Sequence, residues 1–380
     1  MPEINEGFSA EKVPHAEPAL SSREASPVVS ELESAHRVKE PPVASASGTL
    51  PGQRATLKAN AIGLPGVLFQ SITAMAPASA VATALTPAVP LAGASLPLAV
   101  VAATIACIFI AACIGQLAVH IPSAGGLTTY ISRSLGPHVG FLSAWIFLLA
   151  QPLLLPLLSL VWGPYLEDLV KLLTGIDISW IVWVIVGNAA LLLLTYSGIQ
   201  RSTVVSVILG SIEIGIILAL SLTMILRAPN DVATLTPAYS LQQSFGGWGG
   251  IFQGMLFAFL AFTGFEAAAP LGEETTHPRR TIPLAVIFSA LGIGVFYTIG
   301  SYAGMIGWGV SHIAGYAASP APWIELGQRF WGWLGPVLIS FVTINSALGN
   351  GNAGINATSR VAYAMGRSGT LPHLFARLSR

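Results

Sequence analysis

Charge is scarce in this chain. Only 9% of its residues are Asp, Glu, Lys or Arg, against about 25% in an ordinary soluble domain. The 17 basic and 17 acidic side chains cancel, so no basic surface invites nucleic acid. Cysteine is nearly absent. Cys107 and Cys113 fall six residues apart in one apolar stretch. On a helix they lie about 120° apart, so they should pack as small hydrophobes rather than pair. No His/Cys cluster has metal-ligand spacing, and no Gly-rich phosphate loop is present, so neither a metal nor a cofactor is expected. No apolar segment follows a basic start, so no cleaved signal peptide is expected.

What the chain has is hydrophobicity: 53% apolar residues and a mean hydropathy of +0.70. Fourteen of the 34 charged residues fall in residues 1–58 and 20 in the remaining 322. Residues 1–58 are rich in Pro, Ser, Ala and Glu, with Phe8 their one aromatic. They cannot bury a core, and a disordered tail is expected. Residues 59–380 should form a transmembrane domain. Eight apolar runs, each near the ~20 residues that a spanning helix needs, cover roughly 62–89, 93–119, 138–166, 178–196, 203–226, 248–272, 282–308 and 333–359. They are too long and too uniformly apolar for a β-barrel. The expectation is an all-α membrane protein.

Arginine sets the expected orientation. With the N-terminus in the cytoplasm, the inner loops hold Arg133, Arg201, Arg279, Arg280, Arg360, Arg367, Arg377 and Arg380, and the outer loops hold Lys171, Arg227 and Arg329.

Two spans carry helix-breaking signals. In span one, Pro77 lacks an N–H and clashes with the preceding turn, so the helix should break just before it. Freed N–H groups around Ala78, Ser79 and Ala80 suit a carboxylate. Carbonyls near Ile72, Thr73 and Ala74 suit an ammonium group. In span six the break is expected at Thr263-Gly264-Phe265, with Glu266 next. An acid at that depth costs ~2.5–3.5 kcal/mol, so it should face protein or water and act there. Breaks five spans apart fit inverted repeats, as in many secondary transporters.

Glu213, midway along span five, is the other deep acid and a candidate proton carrier. In span eight, Asn345, Asn352 and Asn356 fall near one face, with Ser346 and Asn350 close by. Lining a cavity, coordinating an ion and bonding to a neighbouring helix are all open for them.

Several stretches resemble the amino acid–polyamine–organocation superfamily in its bacterial amino acid permease branch. They are Ile121-Pro122-Ser123-Ala124-Gly125-Gly126, Phe262-Thr263-Gly264-Phe265-Glu266-Ala267, Gly272-Glu273-Glu274 with His277-Pro278-Arg279-Arg280, and Arg360-Val361-Ala362-Tyr363-Ala364-Met365-Gly366-Arg367. The resemblance covers about residues 55–380. It implies a LeuT-like inverted-repeat transporter fold. An enzyme would need a paired nucleophile and base, and Glu213 and Glu266 have no obvious partner in the sequence, so no enzyme activity is expected. The resemblance also implies amino acid or amine binding by Ser71, Thr73, Ala74, Pro77, Ala78, Ser79, Phe262, Thr263, Gly264 and Phe265. Proton-coupled symport or exchange across the inner, cytoplasmic membrane follows from it, with sodium as the other ion. The deep acids Glu213 and Glu266, read from the residues, are the candidates for coupling. Glu213 falls near a position where several members carry a basic side chain. A polyamine or organic amine is the alternative cargo, and a channel or receptor a remoter reading. Since inverted repeats pair spans one to five with six to ten, the second repeat is expected to be incomplete at Arg380.

Overall fold

In the computed structural model, residues 57–227 and 240–378 are described. The expected tail lies outside them except for its last two residues. The regular structure among the described residues is helical, with one isolated bridge between Ile62 and Thr275.

Span one is split. Helix α1 (Leu64–Ala74) starts on Pro65 in its first turn. A break at Met75-Ala76 separates it from α2 (Pro77–Ser79), which continues as a wider turn to Ala84. After short turns come α3 (Leu96–His120) and the amphipathic α4 (Leu127–Leu135), which buries Thr128 and Tyr130. Then come α5 (Pro137–Thr174), α6 (Trp180–Tyr196) and α7 (Ile199–Arg227). Helix α8 (Gly247–Ala261) passes through a break into a tight turn over Phe265–Leu271. The chain continues through α9 (Pro278–Trp308), α10 (Ile313–Ala318), α11 (Pro322–Trp331) and α12 (Leu334–Arg367).

Among the described residues, six helical stretches, α1–α2 and α8 with their turns among them, are long and apolar enough to cross a membrane. These match six of the eight expected spans. The fourth, α6, is apolar but only 17 residues long. The eighth, α12, runs for 34 residues; its Asn and Gly content lowers its hydropathy. The third is longer than expected at 38 residues and stays helical through Pro152, Pro156 and Pro164. Its outer face carries exposed Leu142, Ile146, Leu149, Leu153 and Leu157. Such a surface suits lipid, because hydrocarbon asks for no polar group there.

Helix α1 sits at the centre, against α7, α9 and α12, while α9 runs along α3 and α12 along α5. Alanines recur through the main core, among them Ala99, Ala103, Ala111, Ala285 and Ala290. Small side chains let helices approach closely where no hydrophobic effect drives them together. Cys107 is buried, Cys113 exposed, and both are free thiols.

Candidate functional site

The first break follows from Pro77. Ala76 takes φ 45° and ψ 64°, a left-handed conformation that costs a non-glycine residue about 1–2 kcal/mol. With Pro77 donating nothing, α1 finishes by folding Met75 N–H onto Ser71 and Ile72 and Ala76 N–H onto Thr73. The carbonyls of Ala74 and Met75 point out of the ladder. On the other side, the Ala78 N–H donates to Ser346 Oγ at 3.1 Å.

The second break is a glycine effect. Gly264 sits at φ 125°, outside the range of L side chains, and its backbone touches the first break. A Cβ placed there would lie 2.4 Å from the Ala74 carbonyl oxygen. The Gly264 N–H donates to Glu266 Oε2 at 3.0 Å, so Glu266 turns back onto its own break. Ser71 ties the two segments together. Its Oγ donates to the Phe265 carbonyl at 2.7 Å and accepts the Ala268 N–H at 3.1 Å.

The ten candidate binding residues therefore do not share one situation. Ala74, Ala78, Gly264 and Phe265 meet around the breaks, buried. Ser71 is committed to joining them. The Thr73 hydroxyl donates to Phe69 of its own helix, though its residue also borders a cavity described below. Pro77, Ser79 and Phe262 are buried, and Thr263 is exposed.

One residue was missed from the sequence. Tyr297 on α9 is fully buried. Its hydroxyl lies within donating distance of two carbonyls, Met75 at 2.6 Å and Ala261 at 3.1 Å. Met75 lies in the first break, and Ala261 is the last residue of α8. Its ring meets Phe262 edge-on, 5.1 Å between centroids. Nothing in the sequence marks a tyrosine in an apolar span for this role.

Glu213 is buried on α7 and held by α12. Asn345 Nδ2 donates to its Oε2 at 2.6 Å and Ser346 Oγ to its Oε1 at 3.0 Å. Ser346 thus passes the carboxylate's pull on to the Ala78 N–H. An acid on a different span finishes the cap at the first break.

Loop 272–277, after the second break, is the hub of one end of the bundle. The Glu274 carbonyl accepts the N–H groups of Ala61 and Ile62, and Thr276 N–H returns to Ile62. The Glu274 side chain pairs with Arg360 at 2.8 Å. Glu273 accepts from Arg367 Nη1 at 2.8 Å and from the Ala124 N–H at 3.1 Å. Burial alone would raise the Glu273 carboxyl. The hydrogen bonds from Arg367 and Ala124, with the Arg367 charge, outweigh it and hold it below the ordinary 4.5. Three of the stretches that carry the family resemblance, around 121–126, 272–274 and 360–367, therefore meet in one interlock. Among the described residues, no cluster of His, Cys, Asp and Glu could hold a metal ion.

A family model described as Amino acid permease matches residues 66–380. The branched-chain amino acid permease BcaP of Bacillus subtilis (strain 168) is 26% identical over 302 residues, 74% of this chain and 62% of BcaP. The low-affinity putrescine importer PlaP of Escherichia coli (strain K12) is 28% identical over 293 residues, 74% of this chain and 61% of PlaP. The chain thus spans about three fifths of the length of these curated relatives. The solved structure of Mhp1, a nucleobase-cation-symport-1 family transporter in a closed conformation with bromovinylhydantoin bound, matches with a TM-score of 0.50. Identity is 13%, with 83% of this chain and 79% of that chain covered; this likeness concerns the fold alone. With a family model spanning both breaks and the interlock beneath them, the chain belongs to the amino acid permease family.

Proposed function

We propose that this protein carries amino acids or related amines across the cytoplasmic membrane by alternating access, in symport with protons or by exchange. The observation that carries the reading is the contact between Ala74 and Gly264. Two spans are interrupted, and the interruptions touch. Half-helix ends offer N–H groups to a carboxylate and carbonyls to an ammonium group without any charged side chain. The reading includes a LeuT-like pair of inverted repeats. It takes the end of the bundle bearing Arg360 and Arg367 as cytoplasmic.

The cargo reading extends to polyamines, because PlaP is named a putrescine importer and Glu266 stands at a break. Glu213 and Glu266 are the coupling acids in this reading: one is hydrogen-bonded to the cap of the first break, the other to the second break.

The test is uptake of radiolabelled amino acids by the purified chain in proteoliposomes, under an inward proton gradient. The twenty amino acids and putrescine serve as competitors. Saturable uptake that loses its gradient response in Glu213→Gln or Glu266→Gln supports the reading. Full gradient dependence in both variants removes these acids from the coupling. Flux that rises linearly with concentration and shows no counterflow means a channel instead.

A further inference from the structure

The polar residues of α12 have partners on α7 in a regular order. Ser202, Ser206, Gly210 and Glu213 recur at helical spacing along one face of α7. Asn356, Asn352, Gly349 and Asn345 do the same on α12, running the other way. Asn356 Nδ2 donates to Ser202 Oγ at 3.2 Å. Asn352 Nδ2 donates to Ser202 Oγ at 2.7 Å and to Ser206 Oγ at 3.4 Å. The Ser202 hydroxyl donates to Asn352 Oδ1 at 3.0 Å. Asn345 and Ser346 close the series on Glu213. Asn350 takes no part; it borders a separate cavity between α5 and α12.

Between the rungs lies a cavity of about 130 Å³, bordered by Thr73, Ser206, Gly210, Glu213, Asn345, Gly349 and Asn352, among others. A water takes about 30 Å³ of liquid volume and needs two to four polar partners, so this space suits a few waters. At the other end of the stripe, Arg360 bonds to Asn356 and to Glu274. The arrangement is one-sided. Beyond Glu213 the same face of α7 continues with Ile217, Leu220 and Met224, all fully buried, and Ser221 as the polar exception.

Interhelical hydrogen bonding alone would explain the rungs. It does not explain a cavity bordered by two glycines and an acid, nor a stripe ending on a carboxylate at one end and an ion pair at the other. We propose that this stripe is a proton route joining Glu213 to the end of the bundle that bears Arg360 and Glu274. Cavity waters and the hydroxyls of Ser206 and Ser202 carry the proton. The amides of Asn345, Asn352 and Asn356 orient them. A hydronium in the cavity gives its proton to the Glu213 carboxylate, leaving water and a neutral acid; release runs the same step backwards. The proposal rests on the reading of Glu213 as a coupling acid.

The groups facing Glu213 fit a site that loads and unloads a proton. Asn345 and Ser346 approach it from α12, and Thr73 borders the cavity from α1. The α6 side of the cavity is apolar, with Ala190, Leu191 and Leu194. From α9, the titratable Tyr297 places its hydroxyl at the first break, on the Met75 carbonyl. Among the described residues, no ion pair involves Glu213.

The test is time-resolved infrared difference spectroscopy of the purified full chain in lipid nanodiscs after a pH jump. A protonated-carboxyl band that vanishes in Glu213→Gln reports the acid. Ser202→Ala and Asn352→Leu should slow its appearance by about tenfold or more while leaving its final amplitude. Gly349→Leu fills the cavity without removing a polar group and should do the same. A Cβ at Gly349 meets Thr73 only at ordinary contact distance, and thermal unfolding checks the fold. Unchanged rates in Ser202→Ala and Asn352→Leu would overturn the route. If no band is lost in Glu213→Gln, the acid does not titrate, and the underlying coupling assignment fails rather than the path. If sodium in place of choline abolishes the band at fixed pH, the cavity is a sodium site and the proton route is wrong.

Discussion

The hydroxyl of Tyr297 lies 2.6 Å from the carbonyl oxygen of Met75. Met75 caps the C-terminal end of α1, the first half of one broken span. The same hydroxyl lies 3.1 Å from the Ala261 carbonyl, which ends the first half of the other. A side chain from a third helix therefore stands where two negative helix ends converge. Removing the hydroxyl leaves buried carbonyls short of a donor, at about 1–3 kcal/mol. Tyr297→Phe keeps the ring against Phe262. It should lower the thermal unfolding temperature of the detergent-purified chain, whereas Tyr196→Phe on the exposed end of α6 should not. Equal unfolding temperatures for wild type and Tyr297→Phe would mean that the hydroxyl holds nothing together.

Gly264 permits both the backbone angle and the approach of the second break to Ala74. A methyl group at this position would lie 2.4 Å from the Ala74 oxygen and 2.5 Å from its carbonyl carbon. Neither atom is a flexible side-chain end. Gly264→Ala and Gly264→Val should still insert into the membrane but should lose substrate binding, measured as ligand-induced thermal stabilisation. Wild-type stabilisation by substrate in Gly264→Val would exclude the breaks as the binding site.

The Glu273–Arg367 pair gives the interlock a pH dependence with a definite sign. The folded-state value of Glu273 is depressed below 4.5. Its contribution is therefore fully present above 4.5 and is lost as pH falls through the lower folded value. Arg367→Ala should lower the unfolding temperature at neutral pH. The difference from wild type should shrink as Glu273 protonates in strong acid. A difference independent of pH would assign Arg367 a packing role only, for instance against the ring of Tyr363, 5.3 Å from its guanidinium.

Orientation is testable at the loop that bears α4. Tyr130 is buried there and Ser134 is exposed, so Ser134→Cys in a cysteine-free background is the reporter to use. An impermeant thiol reagent should label it in inside-out vesicles and leave it unlabelled in intact cells. Labelling from outside intact cells would reverse the topology proposed above.

Much of this was legible in the sequence because its causes are local. A proline without an N–H breaks its own helix wherever that helix packs, so the break before Pro77 could be read from the residues. Gly264 announced the second break in the same way, since only glycine takes its backbone angle easily. The common face of Asn345, Asn352 and Asn356 follows from helical spacing alone. Hydropathy marked eight runs, of which six are helices long and apolar enough to span; α12 falls short because the residues that pair with α7 are the ones that make it polar.

Tertiary structure decided which groups meet. Glu213 and Asn345 are 132 residues apart and Ser71 and Phe265 are 194 apart; no periodicity encodes such pairings. The resemblance implied Ser71 as a ligand contact; only the packing shows that its hydroxyl also cross-links the two broken spans. Tyr297 was invisible for the converse reason: one tyrosine in an apolar span is ordinary until the two carbonyl ends it serves are brought to it. The chain's local chemistry fixed where its helices fail. The packing of α7, α9 and α12 around those failures fixed what each exposed backbone group is bonded to, because a buried hydrogen bond depends on positions in space that sequence neighbours do not determine.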